Sequence, residues 1–440
     1  MERLQSLLLV LCLLLSLCAC HVEPPVDSTT TAPADTNTTA PNGTTAPIPV
    51  DIIPKTDGWV NIDGSKWSFF ANGGYYHDPQ MGQQFLAFTD VSNGITVVLC
   101  AKPGCKHHEA PARERDECDA YLGDNTYGIF FFDEKIYYIS LDDNRGAKVL
   151  YSRNADGSGK QKIAELGTGY TSSGSSLSFS YCFSAGSKLY YRIDVDERVR
   201  REDGVYEVRR TKSLVMCCDV TTGEETLIGE FVDEYPHLIA AREDQLLFYT
   251  VASSDKLDPN DPDYQEKISA LPVCLVIWDA NAGQTDILHE KMRKEWDGRG
   301  FVAGSKFYYT ALTQDEKGNN CDGHFTYDLG TGVVETTDIS TTPIGGRYLL
   351  KYDSESGQEY FYDLQTKTEL PNEFAVQSLS IEDTGDEGFI LSWSHYKEGT
   401  ADDGGKVADY TVFAYVTYDA LADGLQASDC LDFYTKYYGE

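Results

Sequence analysis

Residues 186–191 read GSKLYY and residues 218–223 read CDVTTG, and this pair of short segments decides the fold. The same pair returns as GSKFYY at 304–309 and YDLGTG at 327–332. The first segment is a tight polar turn followed by two aromatic or apolar residues. The second places Asp before a short turn that ends in Gly. Repetition of such a pair predicts one supersecondary unit that is used several times.

Weaker copies of the pair extend over most of the chain. They combine EKIYY with RNADG, QLLFY with WDANAG, GGRYLL with YDLQT, GGYYH with TDVSNG and, weakest of all, GFILSW with YDALADG. The acidic or amide residue of the second segment falls at seven positions: Asp90, Asn154, Asp219, Asp279, Asp328, Asp363 and Asp419. Their spacing averages about 55 residues, which favours a closed or stacked array over separate domains.

Each copy is interpreted as a four-stranded antiparallel blade. The aromatic pair lies in the second strand, the third strand ends at the Asp, and the Asp caps a turn in which Gly accepts a positive φ. A ring of blades buries both faces of every sheet and leaves only short edges. The sequence therefore predicts an all-β fold, a single β-propeller of about seven blades over residues 58–440, with six or eight blades as alternatives. A pair of β-sandwiches or a β-solenoid is the competing architecture, although solenoid coils are usually much shorter than this period.

The turn segments also resemble a known repeat. Asp219–Gly223 and Asp328–Gly332 match the middle of the pyrroloquinoline-quinone-type repeat, but the Trp that ends that repeat is missing. The chain as a whole resembles extracytoplasmic bacterial propellers of the TolB type. The resemblance implies the propeller fold and no quinone cofactor.

The N-terminus carries an export signal. Residues 4–17 are apolar but too short for a comfortable membrane span, and Leu17-Cys18-Ala19-Cys20 follows them. This ending resembles the lipobox of bacterial lipoproteins. The resemblance implies that residues 1–19 are a signal peptide and that Cys20 carries the lipid, so that the protein contacts the membrane through its lipid anchor only. An ordinary cleaved signal peptide and an uncleaved anchor are the alternatives.

Residues 20–57 are interpreted as a linker. Residues 21–57 are rich in Thr, Pro, Ala and Asn and contain no aromatic residue. Such a segment cannot bury enough apolar surface to offset its ordering entropy, so a disordered stalk is expected. A lipid anchor followed by this stalk predicts an extracytoplasmic domain tethered to a bacterial cell membrane.

Composition limits the partners. The 440 residues carry a formal net charge of −34. Because nucleic-acid recognition needs a basic face, this charge argues against a nucleic-acid partner. The 29 tyrosines and 12% aromatic content favour β structure.

Strand direction predicts which end of the propeller carries function. In an antiparallel blade, turns 1–2 and 3–4 lie at one end, which we call the tight-turn end. Connections 2–3 and those between blades lie at the other, which we call the insertion-bearing end. Long insertions at 194–212, 253–271 and 397–409 all belong to connections 2–3 and are interpreted as loops. Surface loops frequently carry function, so this end is the predicted binding face.

Residues 99–118 concentrate metal-binding side chains: LCAKPGCKHHEAPARERDEC. Cys100, Cys105, His107 and Cys118 supply three thiolates and one imidazole, a tetrahedral set that suits structural zinc. His107 is preferred to its neighbour His108. A disulfide, which an exported protein permits, and plain thiols are the alternatives.

The segment also resembles a Cys/His stretch of uncharacterised propeller lipoproteins of anaerobic bacteria. The matching residues are Cys105-Lys106-His107 and Cys118-Asp119-Ala120. No activity follows from this resemblance.

A second metal candidate is weaker. Asp258, Asn260, Asp261 and Asp263 offer oxygen ligands for calcium, but the Gly and the closing Glu of an EF-hand loop are absent.

No nucleophile, zinc-protease, phosphate-loop or dinucleotide motif occurs, and no catalytic residue is predicted. The sequence thus predicts a cell-surface lipoprotein that binds or scaffolds an extracellular protein or glycan and is not an enzyme. A lyase or hydrolase with its site in the propeller's central opening is the alternative.

Overall fold

A computed structural model describes the larger part of the chain. The chain divides into two compact units, Met1–Pro41 and Asn42–Glu440, and every described residue belongs to the second. The described residues are 59–61, 67–70, 73–78, 84–100, 102–107, 117–123, 126–141, 148–170, 175–200, 204–231, 236–242, 244–251, 263, 267, 273–292, 296–314, 318, 320–341, 343–345, 347–353, 358–370, 379–384, 387–398, 406–422 and 424–437.

Several predictions fall outside these residues. They are the signal peptide 1–19, the linker 20–57 with Cys20, and Asp258, Asn260 and Asp261 of the calcium candidate. Asp263, the remaining calcium candidate, is described and exposed.

The described part contains 29 strands and one short α-helix. The strands are β1 (Val60–Asn61), β2 (Trp67–Phe70), β3 (Gly73–Asp78), β4 (Gln84–Asp90), β5 (Ile95–Val98), β6 (Tyr121–Gly123), β7 (Thr126–Phe132), β8 (Lys135–Leu141), β9 (Lys148–Asn154), β10 (Gln161–Leu166), β11 (Ser175–Ala185), β12 (Lys188–Arg200), β13 (Tyr206–Asp219), β14 (Glu225–Phe231), β15 (His237–Arg242), β16 (Gln245–Val251), β17 (Val273–Asp279), β18 (Gln284–Met292), β19 (Trp296–Ala303), β20 (Lys306–Gln314), β21 (Asn320–Asp328), β22 (Val334–Thr337), β23 (Tyr348–Asp353), β24 (Gln358–Asp363), β25 (Thr368–Leu370), β26 (Leu379–Thr384), β27 (Gly388–Glu398), β28 (Lys406–Thr417) and β29 (Leu431–Tyr437). The helix α1 is Tyr418–Ala422, and a 3₁₀ turn covers Ala427–Asp429.

The strands form seven antiparallel sheets, the blades of a β-propeller, as the repeat predicts. Blade 1 is β2–β5, blade 2 is β7–β10, blade 3 is β11–β14, blade 4 is β15–β18, blade 5 is β19–β22, blade 6 is β23–β25 and blade 7 is β26–β29. Two short strands extend these sheets: β6 pairs with β4 of blade 1, and β1 pairs with β15 of blade 4. In the described part, blade 6 has three strands, and an isolated bridge joins Ile344 to Tyr348, the first residue of β23.

The blades form a ring around their first strands. β2 lies beside β7, β7 beside β11, β11 beside β15 and β15 beside β19, and β26 returns to β2. Each blade comes from one continuous stretch of sequence, so the ring closes through side contacts between blades 1 and 7. There the Thr96 hydroxyl donates to the Phe433 carbonyl at 3.3 Å, and a Cβ added at Gly94 would lie 3.2 Å from the side chain of Leu431.

Packing between neighbouring blades explains the paired aromatic residues of the repeat. Successive side chains of a strand point to opposite faces. Tyr191 therefore packs into the apolar cluster between blades 2 and 3, whereas Tyr190 packs into the cluster between blades 3 and 4. Tyr190 meets Trp278 edge to face, with the ring centroids 6.2 Å apart. Two adjacent large apolar residues thus bind one blade to both neighbours.

The Asp of the repeat organises the turn between strands three and four. The Asp219 carboxylate accepts the backbone N–H of Thr221 at 2.9 Å, and the ammonium of Lys188 lies 2.9 Å from its other oxygen. Burial opposes the charge of this carboxylate, but the hydrogen bonds from Thr221 and Lys188 outweigh it and lower the pKa of Asp219 to about 2. The turn ends at Gly223, whose φ is +76°.

The same turn recurs at Asp90, Asp279, Asp328 and Asp363, where each carboxylate accepts a backbone N–H two residues later. The weakest copy of the repeat departs from it. Asp419 lies in α1 and not in a turn between strands.

One predicted loop is mostly strand, since the insertion 194–212 continues β12 to Arg200 and β13 from Tyr206. Of the insertion 397–409, the described residues 397–398 end β27 and 406–409 begin β28. In the first, the register places Asp196 opposite Arg210 and Glu197 opposite Arg209. Residues of opposite charge thus occupy opposed register positions, so a charge-rich stretch does not have to be a loop.

No helix of the described part is long and apolar enough to cross a membrane.

Gly223 offers a test of how the blades pack. A Cβ added there would lie 2.9 Å from the carbonyl oxygen of Ile163 in blade 2. Gly304 has a similar φ of +60° but nothing within 4 Å of such a Cβ. We expect Gly304→Ala to lower the free energy of unfolding by about 1 kcal/mol through backbone strain alone, and Gly223→Ala to cost about 1–2 kcal/mol more. Urea denaturation measures both, and equal losses would contradict the contact between blades.

Candidate metal centre

The candidate metal centre lies where blade 1 passes to blade 2. β5 ends at Val98, the chain continues through Cys100, and β6 returns to pair with the start of β4. β4 holds both ends of the intervening segment, because the Leu99 N–H donates to the Leu86 carbonyl at 2.9 Å and the Leu86 N–H donates to the Ala120 carbonyl at 2.8 Å. By strand direction this connection belongs to the insertion-bearing end, and in space it lies at the outer strands of blade 1.

The structure brings the four predicted ligands together. The donor atoms of Cys100, Cys105, His107 and Cys118 all lie within 4.8 Å of one another. His107 Nδ1 lies 3.5 Å from Cys118 Sγ. Among the residues that the structure describes, this is the one group of three or more Cys, His or acidic side chains that converges in this way. The alternative ligand, His108, is outside the described residues.

A tight turn positions the first two ligands. The Cys105 N–H donates to the Lys102 carbonyl at 3.3 Å, and Gly104 has a φ of +72°. Pro at the second position and Gly at the third are the residues that a type II β-turn requires. Lys102-Pro103-Gly104-Cys105 thus has the sequence that such a turn needs.

His107 has an uncommon backbone conformation. Its φ is +48°, in the left-handed region that non-glycine residues seldom adopt. Such strain, of about 1–3 kcal/mol, concentrates at functional sites. Here the strained backbone belongs to a residue whose imidazole faces the three thiols. Composition alone does not predict this backbone conformation.

The two arms of the segment are tied together next to the ligands. The Lys102 ammonium donates to the Glu117 carbonyl and lies 3.6 Å from the Asp119 carboxylate. Cys118 is 5% exposed and packs with Phe85 and Ala120 in a small apolar cluster. The site is thus partly shielded from water by blade 1 itself.

The three thiols are not equivalent. Burial alone would raise the pKa of Cys100, but hydrogen bonds from the backbone at Lys102 and Asp119 outweigh this effect and lower the pKa. Burial, followed by the neighbouring charge of Cys100, raises the pKa of Cys118. By contrast, burial raises the pKa of Cys217 and of Cys218 to about 12, as expected for inert strand thiols.

The donor set fits a tetrahedral ion. Zn–S bonds of about 2.3 Å and Zn–N bonds of about 2.0–2.1 Å place sulfur and nitrogen about 3.6 Å apart at the tetrahedral angle. The His107–Cys118 distance of 3.5 Å matches this value. Cys100, Cys105 and Cys118 carry free thiols. Four protein donors would complete the tetrahedral coordination of a bound ion and leave no open position on it.

Arg153 joins this segment to blade 2. Its guanidinium is 2% exposed and donates to the carbonyl of Tyr121 in β6 at 3.0 Å, to the Gly157 carbonyl at 2.9 Å and to the Tyr138 hydroxyl at 3.2 Å. Gly157 in turn lies against Leu99, beside Cys100. The segment that carries the candidate ligands is therefore fixed to both blades. Sequence spacing gives no signal for this contact.

Exposed tyrosines mark the insertion-bearing end. Tyr206 is 65% exposed beside the tip of the β12–β13 hairpin, Tyr352 is 65% exposed near the end of β23, and Tyr396 is 41% exposed near the end of β27. By strand direction, all three lie at the insertion-bearing end, in blades 3, 6 and 7. None of these tyrosines is among the predicted site residues, although Tyr206 falls inside a predicted insertion and Tyr396 directly precedes one.

Two histidines of the strands stack on tyrosines. His237 stacks on Tyr249 with the ring centroids 4.6 Å apart, and His395 stacks on Tyr410 at 4.3 Å. The indole N–H of Trp393 donates to His395 at 3.2 Å.

The sequence matches no protein-family model and no curated protein. Among solved structures, the chain is similar to an oligogalacturonate lyase in complex with manganese, with 13% identity over 73% of this chain and 82% of that one and a TM-score of 0.42. It is also similar to an oligogalacturonate lyase from Vibrio parahaemolyticus, with 11% identity over 84% and 93% and a TM-score of 0.45. The β-propeller domain of a Trilobed protease from Pyrococcus furiosus has 12% identity over 67% and 90% and a TM-score of 0.36. At these identities and TM-scores, no function is carried over to this chain.

Proposed function

We propose that the propeller is a binding or scaffolding module for an extracellular protein or glycan, and that its insertion-bearing end is the binding face. The observation that carries the proposal is the position of the exposed tyrosines Tyr206, Tyr352 and Tyr396, all at this end. A tyrosine offers a large apolar ring and a polar tip at small entropic cost, and such residues are enriched where proteins bind partners.

We further propose that Cys100, Cys105, His107 and Cys118 bind a structural zinc ion. The donor chemistry and the spacing of the four side chains support this assignment. The ion would fix the connection between blades 1 and 2 before any partner arrives. A rigid connection lowers the ordering cost of binding at the same end.

The location is part of the same proposal. The lipobox-like ending at Cys20 supports lipidation of that residue, which would anchor the protein to a bacterial cell membrane with the propeller outside the cytoplasm. The net charge of −34 supports a partner other than nucleic acid.

Site-specific photo-crosslinking tests the binding face. A photoreactive phenylalanine would replace Tyr206, Tyr352 or Tyr396 in the full chain. Intact bacterial cells that express each variant would then be illuminated. Thr222 and Thr331, in turns at the tight-turn end, are matched control positions. We expect discrete adducts from the tyrosine positions and none from the controls. Adducts that a protease removes identify a protein partner, and adducts that only a glycosidase removes identify a glycan. Equal labelling at both ends would overturn the proposed face.

A further inference from the structure

The short strand β1 lies inside the ring. It pairs antiparallel with β15, the first strand of blade 4, with Val60 opposite Ala241 and Asn61 opposite Ala240. It also lies beside β19, the first strand of blade 5. First strands surround the central opening of the ring, so β1 adds a strand to the inner edge of blade 4. A paired strand takes up about 4.8 Å in this direction and narrows the opening by that amount.

Side chains anchor β1 in two seams between blades. Trp59 packs against the apolar cluster between blades 4 and 5, and Val60 packs against the cluster between blades 3 and 4. The guanidinium of Arg242 lies over the indole ring of Trp59, 5.3 Å from its centroid. The electron-rich face of an indole ring attracts a cation placed over it. Consecutive residues thus hold the segment on opposite sides of β15.

The direction of β1 shows where the chain enters the ring. β15 starts at His237, after the connection from blade 3, and ends at Arg242, where a tight turn leads to β16. It therefore runs from the insertion-bearing end to the tight-turn end. β1 runs the opposite way, so Trp59 lies at the level of Arg242 and Asn61 lies deeper in the ring.

We propose that Trp59–Asn61 is a plug strand that fixes the chain's point of entry at the tight-turn end and partly fills the central opening. A tether attached before Trp59 then leaves from the tight-turn end, opposite the exposed tyrosines. The plug strand also occupies part of the opening in which the alternative function, a lyase or hydrolase, would place its site. This inference needs neither the zinc ion nor the partner proposed above.

Disulfide trapping in the full chain tests the pairing. Val60→Cys/Ala241→Cys places two thiols on directly opposed residues, and Val60→Cys/Leu238→Cys is the control, shifted by three residues or about 10 Å along β15. Peptide mass spectrometry separates the new bond from the native cysteines. We expect the opposed pair to oxidise at least about 10-fold faster than the control. Equal rates would overturn the plug strand.

Cross-linker reach tests the point of entry. Gly58→Cys would be combined with Asp244→Cys, in the tight turn after β15, or with His237→Cys, at the far end of β15 about 17 Å away. A bis-maleimide with a spacer of about 8 Å should join the first pair and not the second. Preferred joining of Gly58→Cys to His237→Cys would overturn the entry at the tight-turn end.

Hydrogen exchange tests whether β1 protects blade 4. We expect Trp59→Ala to speed amide exchange in residues 237–242 by about 10-fold or more and to leave β8 and β9 of blade 2 unchanged. Exchange at 237–242 that equals the wild-type rate in a folded Trp59→Ala variant would contradict the anchoring role of the indole.

Discussion

Replacing Cys118 by Ser will lower the zinc content of the purified full chain from about one ion to below about 0.1 per chain. The thiolate of Cys118 is the most buried of the four donors, and a serine hydroxyl is neither soft nor ionised at neutral pH. Elemental mass spectrometry measures the content after purification without added metal. Cys321→Ser is the control, because Cys321 is an exposed cysteine of blade 5 outside the cluster. It should retain the wild-type zinc content.

Chelation of the wild-type protein should act locally. Removal of the ion should speed amide exchange in residues 99–107 and 117–123, while the strands of blades 3 to 5 keep their protection, because their apolar clusters do not involve this segment. A wild-type protein without metal, with thiols missing in pairs under denaturing conditions, would refute the zinc proposal and favour a disulfide. Zinc retained by Cys118→Ser would remove Cys118 from the ligand set.

Asp194→Ala will lower the free energy of unfolding by about 3–5 kcal/mol, since it leaves a buried guanidinium without its carboxylate. Asp194 is 1% exposed and accepts the Ser213 hydroxyl at 2.7 Å, and the Arg192 guanidinium donates to it at 2.9 Å. Arg192 also donates to the carbonyl of Pro236, which leads into blade 4, at 2.8 Å. The predicted loss is a large fraction of the total stability of about 5–15 kcal/mol that is typical of folded proteins.

Two variants make this result interpretable. Lys212→Ala removes an ion pair with Glu230 whose side chains are 28% and 43% exposed, and it should cost no more than about 1 kcal/mol. The double variant Arg192→Met/Asp194→Leu replaces both charges by apolar groups and should regain most of the stability lost in Asp194→Ala. Chemical denaturation measures all three. A double variant as unstable as Asp194→Ala would show that shape, and not the unpaired charge, causes the loss.

The repeat made the fold predictable because its signals are local. The Asp219 turn needs only residues that follow one another in sequence. Tyr190 and Tyr191 are adjacent, so their side chains point to opposite faces of the strand, and two large apolar residues in a row indicate a blade that is buried on both faces. The convergence of Cys100, Cys105 and His107 was predictable for the same reason, since these candidate ligands fall within eight residues of one another. The prediction of a loop at 194–212 is wrong because a long insertion between strands two and three was taken for a loop, whereas its two arms continue the pairing of β12 with β13.

Contacts between residues that are distant in sequence could not be predicted from it. Arg153 in blade 2 donates to the backbone carbonyl of Tyr121, and since every residue has such a carbonyl, the sequence does not mark Tyr121 as the partner. Trp59 and Val60 precede the first copy of the repeat, so the period says nothing about them, and their partners lie in blade 4. The exposure of Tyr352 depends on the blade around it and not on its neighbours in sequence.

The continuity of each blade has a consequence for how this chain acquires its fold. In a propeller whose first blade includes the last strand of the chain, that blade is complete only when the whole chain is available. Here blades 1 and 7 share no strand among the described residues. Most strand pairs join neighbours in sequence, which keeps contact order low and favours rapid folding. A chain that emerges N-terminus first can therefore build blade upon blade as it appears, with few exposed strand edges to aggregate. The β1–β15 pair is the long-range exception, and it can form only after blade 4 has been assembled.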